Sequence, residues 1–354
     1  MAGEKELRYT AIGVMSGSSL DGLDIALCEF CLGPSGWTFN IREARTVPYD
    51  PEFQSRLLSV MSGSALELAR LDRDLGDLIG RSCAELLGGR KVDLIASHGH
   101  TIFHKPDEGL TVQIGHGARI ATKSGAPTIT DFRTLDVAFG GQGAPLVPLG
   151  EQRLFPSYHA FLNIGGICNI SLHGTQHAVG YDVCIGNQAL NFLAGEAGLL
   201  YDAAGGIARS GSLNKGLLER LNSLPFHQRT PPRSLGREWF DEALRPLIAD
   251  ATLSLPDRLS TTVEHIASMV SNSISIASGD VLTTGGGARN TFLVERIRAL
   301  SGSAIRVPDV LTVDFKEALI FAFLGVLHLR NEATALASVT GATKDSVGGT
   351  LYRG

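Results

Sequence analysis

Residues Tyr9 to Phe30 read YTAIGVMSGSSLDGLDIALCEF, and this stretch decides the fold. Ile12 and Val14 lead into a polar turn, Met15-Ser16-Gly17-Ser18-Ser19-Leu20-Asp21-Gly22, and Leu23, Ile25 and Leu27 lead out at alternate positions. Alternation on both sides of a glycine-bearing turn predicts strand, tight turn, strand. Phe161 to Leu172 repeats the pattern about 150 residues on, as FLNI, Gly165-Gly166, ICNISL. Few residues are identical between the two, but the shared pattern predicts a duplicated unit.

Working outward, Leu66, Leu71, Leu75, Leu78, Ile79 and Leu86 recur at helical spacing. The strand Val92–Ala96 follows and ends at Ser97-His98-Gly99-His100-Thr101. Thr261-Thr262-Val263-Glu264 reads as a capping box that opens a helix. The strand Val281–Thr284 runs into Gly285-Gly286-Gly287, and Asn290 is placed to cap a helix over 291–300. Ala318 to Leu329 is apolar all round, as in a buried helix. Strands alternating with helices in both halves predict an α/β fold of two domains facing a cleft. The expected first domain is 1–134 with 335–354, the second is 135–334, and the crossover falls near Asp131 to Val137.

Composition narrows the function. The 354 residues carry 31 basic and 36 acidic side chains, for a net charge of -5, with no basic run. That balance argues against a nucleic-acid or polybasic membrane partner. MAGEKELRYT is charged where a signal peptide is apolar, and Ala318 to Leu329 falls short of the ~20 residues of a membrane span. Five cysteines do not make a disulfide scaffold in a chain of this size, so a cytoplasmic setting is expected. Cys28 and Cys31 form a C-x-x-C on an alternating strand, which reads as two ordinary thiols. His98, His100 and His104 read better as a polar strand end than as a metal site.

Glycine is in excess, 42 residues, and sits in short clusters between apolar runs. The P-loop, the dinucleotide-binding G-x-G-x-x-G and the G-x-S-x-G elbow are all missing from the sequence. What the chain has instead is separate glycine turns at strand ends, where backbone N–H groups can approach an anion. Ser16, Ser18 and Ser19 add hydroxyls suited to phosphate oxygens, and Asp21 a carboxylate suited to hydrated Mg²⁺.

The ordered motifs resemble the actin/Hsp70/hexokinase superfamily, and within it the anhydro-N-acetylmuramic acid kinase family. GVMSGSSLDGLD (Gly13–Asp24) is similar to that family's first phosphate hairpin. HGHTIFHKP (His98–Pro106), TVQIG (Thr111–Gly115) and DFRTLDVAFGGQGAPLVP (Asp131–Pro148) follow in the family's order. NIGGICNIS (Asn163–Ser171) resembles the second phosphate hairpin and TTGGGARN (Thr283–Asn290) the adenosine-side loop. YDAAGGIARSG (Tyr201–Gly211), PPRSLGRE (Pro231–Glu238), DFKEALIFAFL (Asp314–Leu324) and VTGA (Val339–Ala342) complete the series.

The resemblance implies two RNase H-like domains and an ATP- and Mg²⁺-dependent sugar kinase of cell-wall recycling. It opens the 1,6-anhydro bridge with water and phosphorylates O6, and it works as a homodimer. ATP would be held by Gly13, Ser16, Gly17, Ser18, Ser19, Asp21 and Gly22, by Asn163, Gly165 and Gly166, and by Gly285, Gly286, Gly287 and Asn290. The sugar would meet His98, Arg133, Asp182 and Glu317. Asp182 falls where the family's D-T-G-P-G-N motif has its base, but here the motif reads Asp182-Val183-Cys184-Ile185-Gly186-Asn187. Cys184 beside it reads as a small apolar filler. His100 and Leu235 also depart from the family's H-G-Q-T and S-T-G-R-E. A same-fold kinase for another sugar, or a binding regulator with little turnover, therefore stays open.

Overall fold

A computed structural model describes residues 6–17, 20, 22–173, 178–231, 233–275, 279–302 and 304–354. Ser18, Ser19 and Asp21 of the first turn lie outside the described residues. Contacts divide the chain into Met1–Pro156 with Phe315–Gly354, and Ser157–Asp314.

In the first unit, β1 (Leu7–Ser16), β2 (Gly22–Gly33) and β3 (Gly36–Pro48) form an antiparallel meander. β4 (Leu94–Ser97) joins β1 in parallel. β5 (His100–Lys105) and β6 (Leu110–Ile114) make a separate hairpin, and β7 (Thr128–Thr130) lies parallel to β4. With the C-terminal strand Thr350–Tyr352 on β7, the order is C-terminal strand, β7, β4, β1, β2, β3. The helix Ala65–Leu87 starts with Ser64 accepting from the Glu67 N–H while Glu67 accepts from the Ser64 N–H. Leu71, Leu75, Ile79 and Cys83 then pack in one core with Ile12, Val14 and Ile25. Leu66 was expected in that stripe but is 58% exposed, on the helix's first turn.

The second unit repeats the plan. β8 (Ala160–Ile164), β9 (Ile167–His173) and β10 (Ala178–Ile185) form the meander. β11 (Val281–Thr284) and β12 (Ile305–Arg306) extend it in parallel, giving the order β10, β9, β8, β11, β12. Each unit thus has a three-strand meander extended, on the free side of its first strand, by two parallel strands. This is a duplicated α/β, RNase H-like fold of the actin/Hsp70/hexokinase type.

Two further expectations differ from the structure. The helix expected to open at Thr261 opens at Leu255, capped by Ser254, and runs to Ile274. Thr261 and Thr262 lie inside it, where their hydroxyls donate back to the Asp257 and Arg258 carbonyls at 2.7 and 2.8 Å. The boundaries expected at 134/135 and 334/335 fall instead at 156/157 and 314/315. One reason is a buried ion pair, Lys316 Nζ to Glu151 at 2.6 Å, which ties the helix Val147–Leu154 to the helix Val310–Leu329. That second helix is broken at Phe315, whose φ of -117° is not helical. Beyond the break, Ala318 to Leu324 are essentially inaccessible, as the apolar run predicts.

Candidate active-site residues in each unit

In the first unit the parallel strand β4 ends at Ser97 and delivers His98 into a buried turn. Arg133 reaches the same ring. Its Nε and Nη2 donate to His98 Nε2 at 3.0 and 2.9 Å, and its Nη1 donates to the Gly143 carbonyl at 2.5 Å. His98 Nε2 is therefore an acceptor, so Nδ1 carries the proton and donates to the Gly99 carbonyl at 2.9 Å. Burial, and then the Arg133 charge, push the imidazole down to about 3, which keeps it neutral. Burial also pushes Arg133 down to about 10, with Glu317 and Asp136 opposing, so it stays cationic at neutral pH. Of its five N–H groups, two on the Nη end remain to address a substrate.

Glu317 keeps solvent contact on one side and is crowded by protein on the others. Desolvation pushes its carboxyl above the ordinary range, Lys316 and Arg133 oppose this, and Glu151 adds to it. His98 and Arg133 are thus in direct contact, and the Glu317 charge reaches Arg133. Asp136, missed in the sequence, organises the neighbouring loop. It is fully buried, accepts from the Gly143 N–H at 2.8 Å and accepts from the Thr340 hydroxyl at 2.7 Å.

The first glycine turn shows a second duty for its residues. The Ser16 hydroxyl is buried, 2.6 Å from the Tyr49 hydroxyl and 3.0 Å from His100 Nδ1. Burial lowers the His100 pKa against the Ser16 hydrogen bond. Nothing in the sequence pattern pairs Tyr49 with Ser16, because Tyr49 lies just past the end of β3, a strand that pairs with β2 and not with β1. Gly13 is needed where the Val310–Leu329 helix presses on β1. The Leu20 N–H closes the turn onto the Gly17 carbonyl at 3.3 Å, and Gly22 begins β2.

In the second unit two segments converge on the β8–β9 turn. The Gly186 and Asn187 N–H groups donate to the Gly166 and Gly165 carbonyls at 2.8 and 2.9 Å. Asn187 Nδ2 adds a 3.2 Å bond to the Ile164 carbonyl. Gly285 has φ +83°, and a Cβ there would meet Asn163 Oδ1 at 2.4 Å and the Ile164 carbonyl at 2.8 Å, so the loop after β11 lies directly on the turn. By contrast, a Cβ on Gly166 would meet nothing nearer than 4.0 Å, and one on Gly286 nothing nearer than 3.6 Å. Those open glycine faces fit the close approach of phosphate oxygens. The Asn290 side chain is committed to the helix Thr291–Ser301, accepting from the Leu293 N–H at 3.0 Å.

Asp182 sits on β10, half-buried, beside a register slip between Asp182 and Cys184. Its Oδ2 accepts from the Leu235 N–H at 2.8 Å, and none of the described residues bonds to Oδ1. Burial raises its pKa and the Leu235 hydrogen bond holds it back. A half-buried carboxylate with one open oxygen can take a proton from a neighbouring water. Val183, Cys184 and Ile185 are fully buried in the core, so they fill space where the family motif has T-G-P. Cys184 hydrogen-bonds Cys168, and with burial this drives its thiol well above the ordinary value, away from nucleophilic chemistry.

Among the described residues no group of three or more His, Cys, Asp or Glu is placed to hold a metal ion. Both nitrogens of His98 are used within the protein. Cys28 and Cys31 are free thiols. No helix of the described residues is long and apolar enough to cross a membrane.

The buried histidines carry a pH dependence. His98 is pushed down to about 3, His265 to about 3 and His227 to about 4, in each case first by burial. Between those values and ~6.5 the unfolded chain binds protons that the folded chain does not. Their stabilisation is complete above ~6.5 and is lost as pH falls toward 4. We expect stability to fall in both units as pH drops below ~6.5. Urea midpoints at pH 7.5 and 5.5 measure this, and equal midpoints would contradict it.

Comparison with known proteins agrees with these motifs. The family model described as anhydro-N-acetylmuramic acid kinase matches residues 9–354. The anhydro-N-acetylmuramic acid kinase of Sulfurovum sp. is 35% identical over 362 residues, covering 96% of this chain and 98% of that protein. The enzymes of the same name from Vibrio vulnificus and Mannheimia succiniciproducens are each 36% identical over 96% of this chain, covering 97% and 98% of their own lengths. With the whole length matched at this identity, the chain belongs to the anhydro-N-acetylmuramic acid kinase family.

Proposed function

We propose that the chain performs the reaction for which its family is named. Water adds to C1 of 1,6-anhydro-N-acetylmuramic acid as the C1–O6 bond breaks. Asp182 takes the water's proton, and O6 accepts the γ-phosphoryl group of ATP. The products are N-acetylmuramic acid 6-phosphate and ADP. The observation that carries this reading is Asp182 itself: a carboxylate raised by burial, with one oxygen open, on the strand that leads into the glycine turns.

The protein's share of the work is binding, orientation and proton transfer. The open faces of Gly166 and Gly286 would admit phosphate oxygens, and the first turn, Gly13 to Gly22, would bind phosphate in the same way. The Nη end of Arg133 would grip the sugar's oxygens as a planar fork, with His98 fixing the fork and Glu317 accepting hydrogen bonds from sugar hydroxyls. Mg²⁺, which would neutralise charge on the transferring phosphoryl group, needs only one or two carboxylates besides the triphosphate. A cytoplasmic, homodimeric enzyme without nucleic-acid or membrane partners completes the proposal.

Incubation with Mg-ATP and the anhydro sugar should give a product heavier by one water plus one phosphoryl group, read by mass spectrometry. Saturable ATP binding without that product would overturn the reading in favour of a regulator. A phosphorylated non-anhydro sugar in its place would favour a different kinase.

A further inference from the structure

We propose that Arg233 is a positioning residue for Asp182, acting through the backbone of the strand that carries it. The proposal rests on Asp182 being the base. β10 slips register between Asp182 and Cys184, so Val183 has no partner on β9. A bulge of this kind re-aims a side chain, but it also leaves backbone groups outside the ladder and the strand free to adjust. Here the slack is taken up by one side chain from the segment after the 226–229 turn.

The Arg233 guanidinium donates Nε to the Asp182 carbonyl at 3.1 Å and Nη2 to the Val183 carbonyl at 3.4 Å. Its Nη1 points the other way, to the carbonyls of Arg229 at 2.8 Å, His227 at 3.1 Å and Phe226 at 3.4 Å. The group lies 4.9 Å from the Phe226 ring centroid and 5.6 Å from that of Tyr181. One planar cation thus bonds five carbonyl oxygens and ties the bulge to a turn more than forty residues away in sequence.

The backbone of the same segment closes the arrangement. The Asp182 N–H donates to the Arg233 carbonyl at 3.0 Å, and the Leu235 N–H donates to Asp182 Oδ2 at 2.8 Å. Asp182 is therefore held at its amide, its carbonyl and its carboxylate by residues 233–235. The Leu235 bond is also the one that restrains its pKa. If Arg233 lets go, the Leu235 N–H drifts from Oδ2, and the carboxylate loses aim and becomes harder to ionise. Lysine cannot substitute, because an ammonium is a point charge that cannot span both sides of the turn.

The test compares Arg233→Lys and Arg233→Ala with the parent enzyme in the coupled hydrolysis and phosphorylation of the anhydro sugar. We expect kcat to fall about 10- to 100-fold in both, with KM for ATP within about threefold. The acid limb of kcat should move to higher pH, a shift that a merely structural role would not produce. Added guanidinium at low millimolar concentration should restore part of the turnover of Arg233→Ala. A parental kcat and unmoved acid limb in Arg233→Lys would overturn the proposal. So would a loss that follows only a lowered melting temperature. Should Arg233→Ala fail to fold, Arg233→Lys carries the test. Asp182→Asn separates the two readings. If it retains turnover the base assignment fails. If it is inactive while Arg233→Lys is normal, the positioning proposal alone fails.

Discussion

Asp182→Asn is expected to lower turnover by about 10²- to 10⁴-fold while leaving ATP affinity within a few-fold. The substitution keeps the shape of the side chain and an oxygen able to accept from the Leu235 N–H. What it removes is the capacity to take a proton. The parent enzyme should lose activity as pH falls through the Asp182 pKa, and burial places that limb above the ordinary aspartate value of 3.8. The stability effect has the opposite sign. A carboxyl whose folded pKa is raised binds its proton more tightly in the folded state. Its contribution therefore falls as pH rises through that value, and the ionised form at neutral pH is a cost. Asp182→Asn should melt no lower than the parent at pH 7. A variant that melts lower and turns over normally would make Asp182 a structural turn residue and place the base elsewhere. Steady-state kinetics and a thermal scan on one preparation decide between these outcomes.

Gly13→Ala should produce the largest loss of stability of any single methyl added to the first unit. A Cβ at this position would lie 1.7 Å from the Ala318 carbonyl oxygen, with the Ala318 carbonyl carbon at 2.7 Å and the Ala322 nitrogen at 2.8 Å. These are backbone atoms of a buried helix and cannot swing aside as a side-chain end would. Overpacking usually costs ~1–3 kcal/mol, and with the helix backbone as the obstacle we expect about 3–5 kcal/mol. That is a large part of the total stability of a typical domain. Urea denaturation at neutral pH gives the difference directly. A loss under 1 kcal/mol would mean that strand and helix separate freely.

Local grammar made much of this legible. The alternation around Gly17 and around Gly165-Gly166 predicts the two meanders, and the topology shows both. Val281–Thr284 is a strand to the residue, and Asn290 caps its helix as its position before Thr291 predicts. The motif Thr261 to Glu264 misleads because a threonine hydroxyl serves equally at a cap or bonded back to the carbonyl four residues earlier. The true start, Ser254-Leu255-Pro256-Asp257, carries its own signal in a serine cap followed by proline. The domain boundaries were not legible, since Lys316 and Glu151 meet over 165 residues of sequence and no local pattern encodes that pair. The same holds at the site. The sequence singles out Asp182, Arg133 and His98 one at a time. It does not show that Arg133 is forked onto His98, or that Arg233 grips the bulge beside Asp182.

The notch that makes Gly13 irreplaceable has a counterpart two helical turns along. Gly325, seven residues after Ala318, leaves room for Leu94 and Ala96 of β4, which a Cβ there would meet at 2.4 and 2.7 Å. Residues seven apart lie on one side of a helix, so the two notches fall on the same line. Together they act like a pair of detents on a shaft. The helix can neither roll about its axis nor slide along it without driving its backbone into β1 or into the side chains of β4. Glu317 is the residue next to the first detent, so the point at which its side chain leaves the helix is set by two missing side chains.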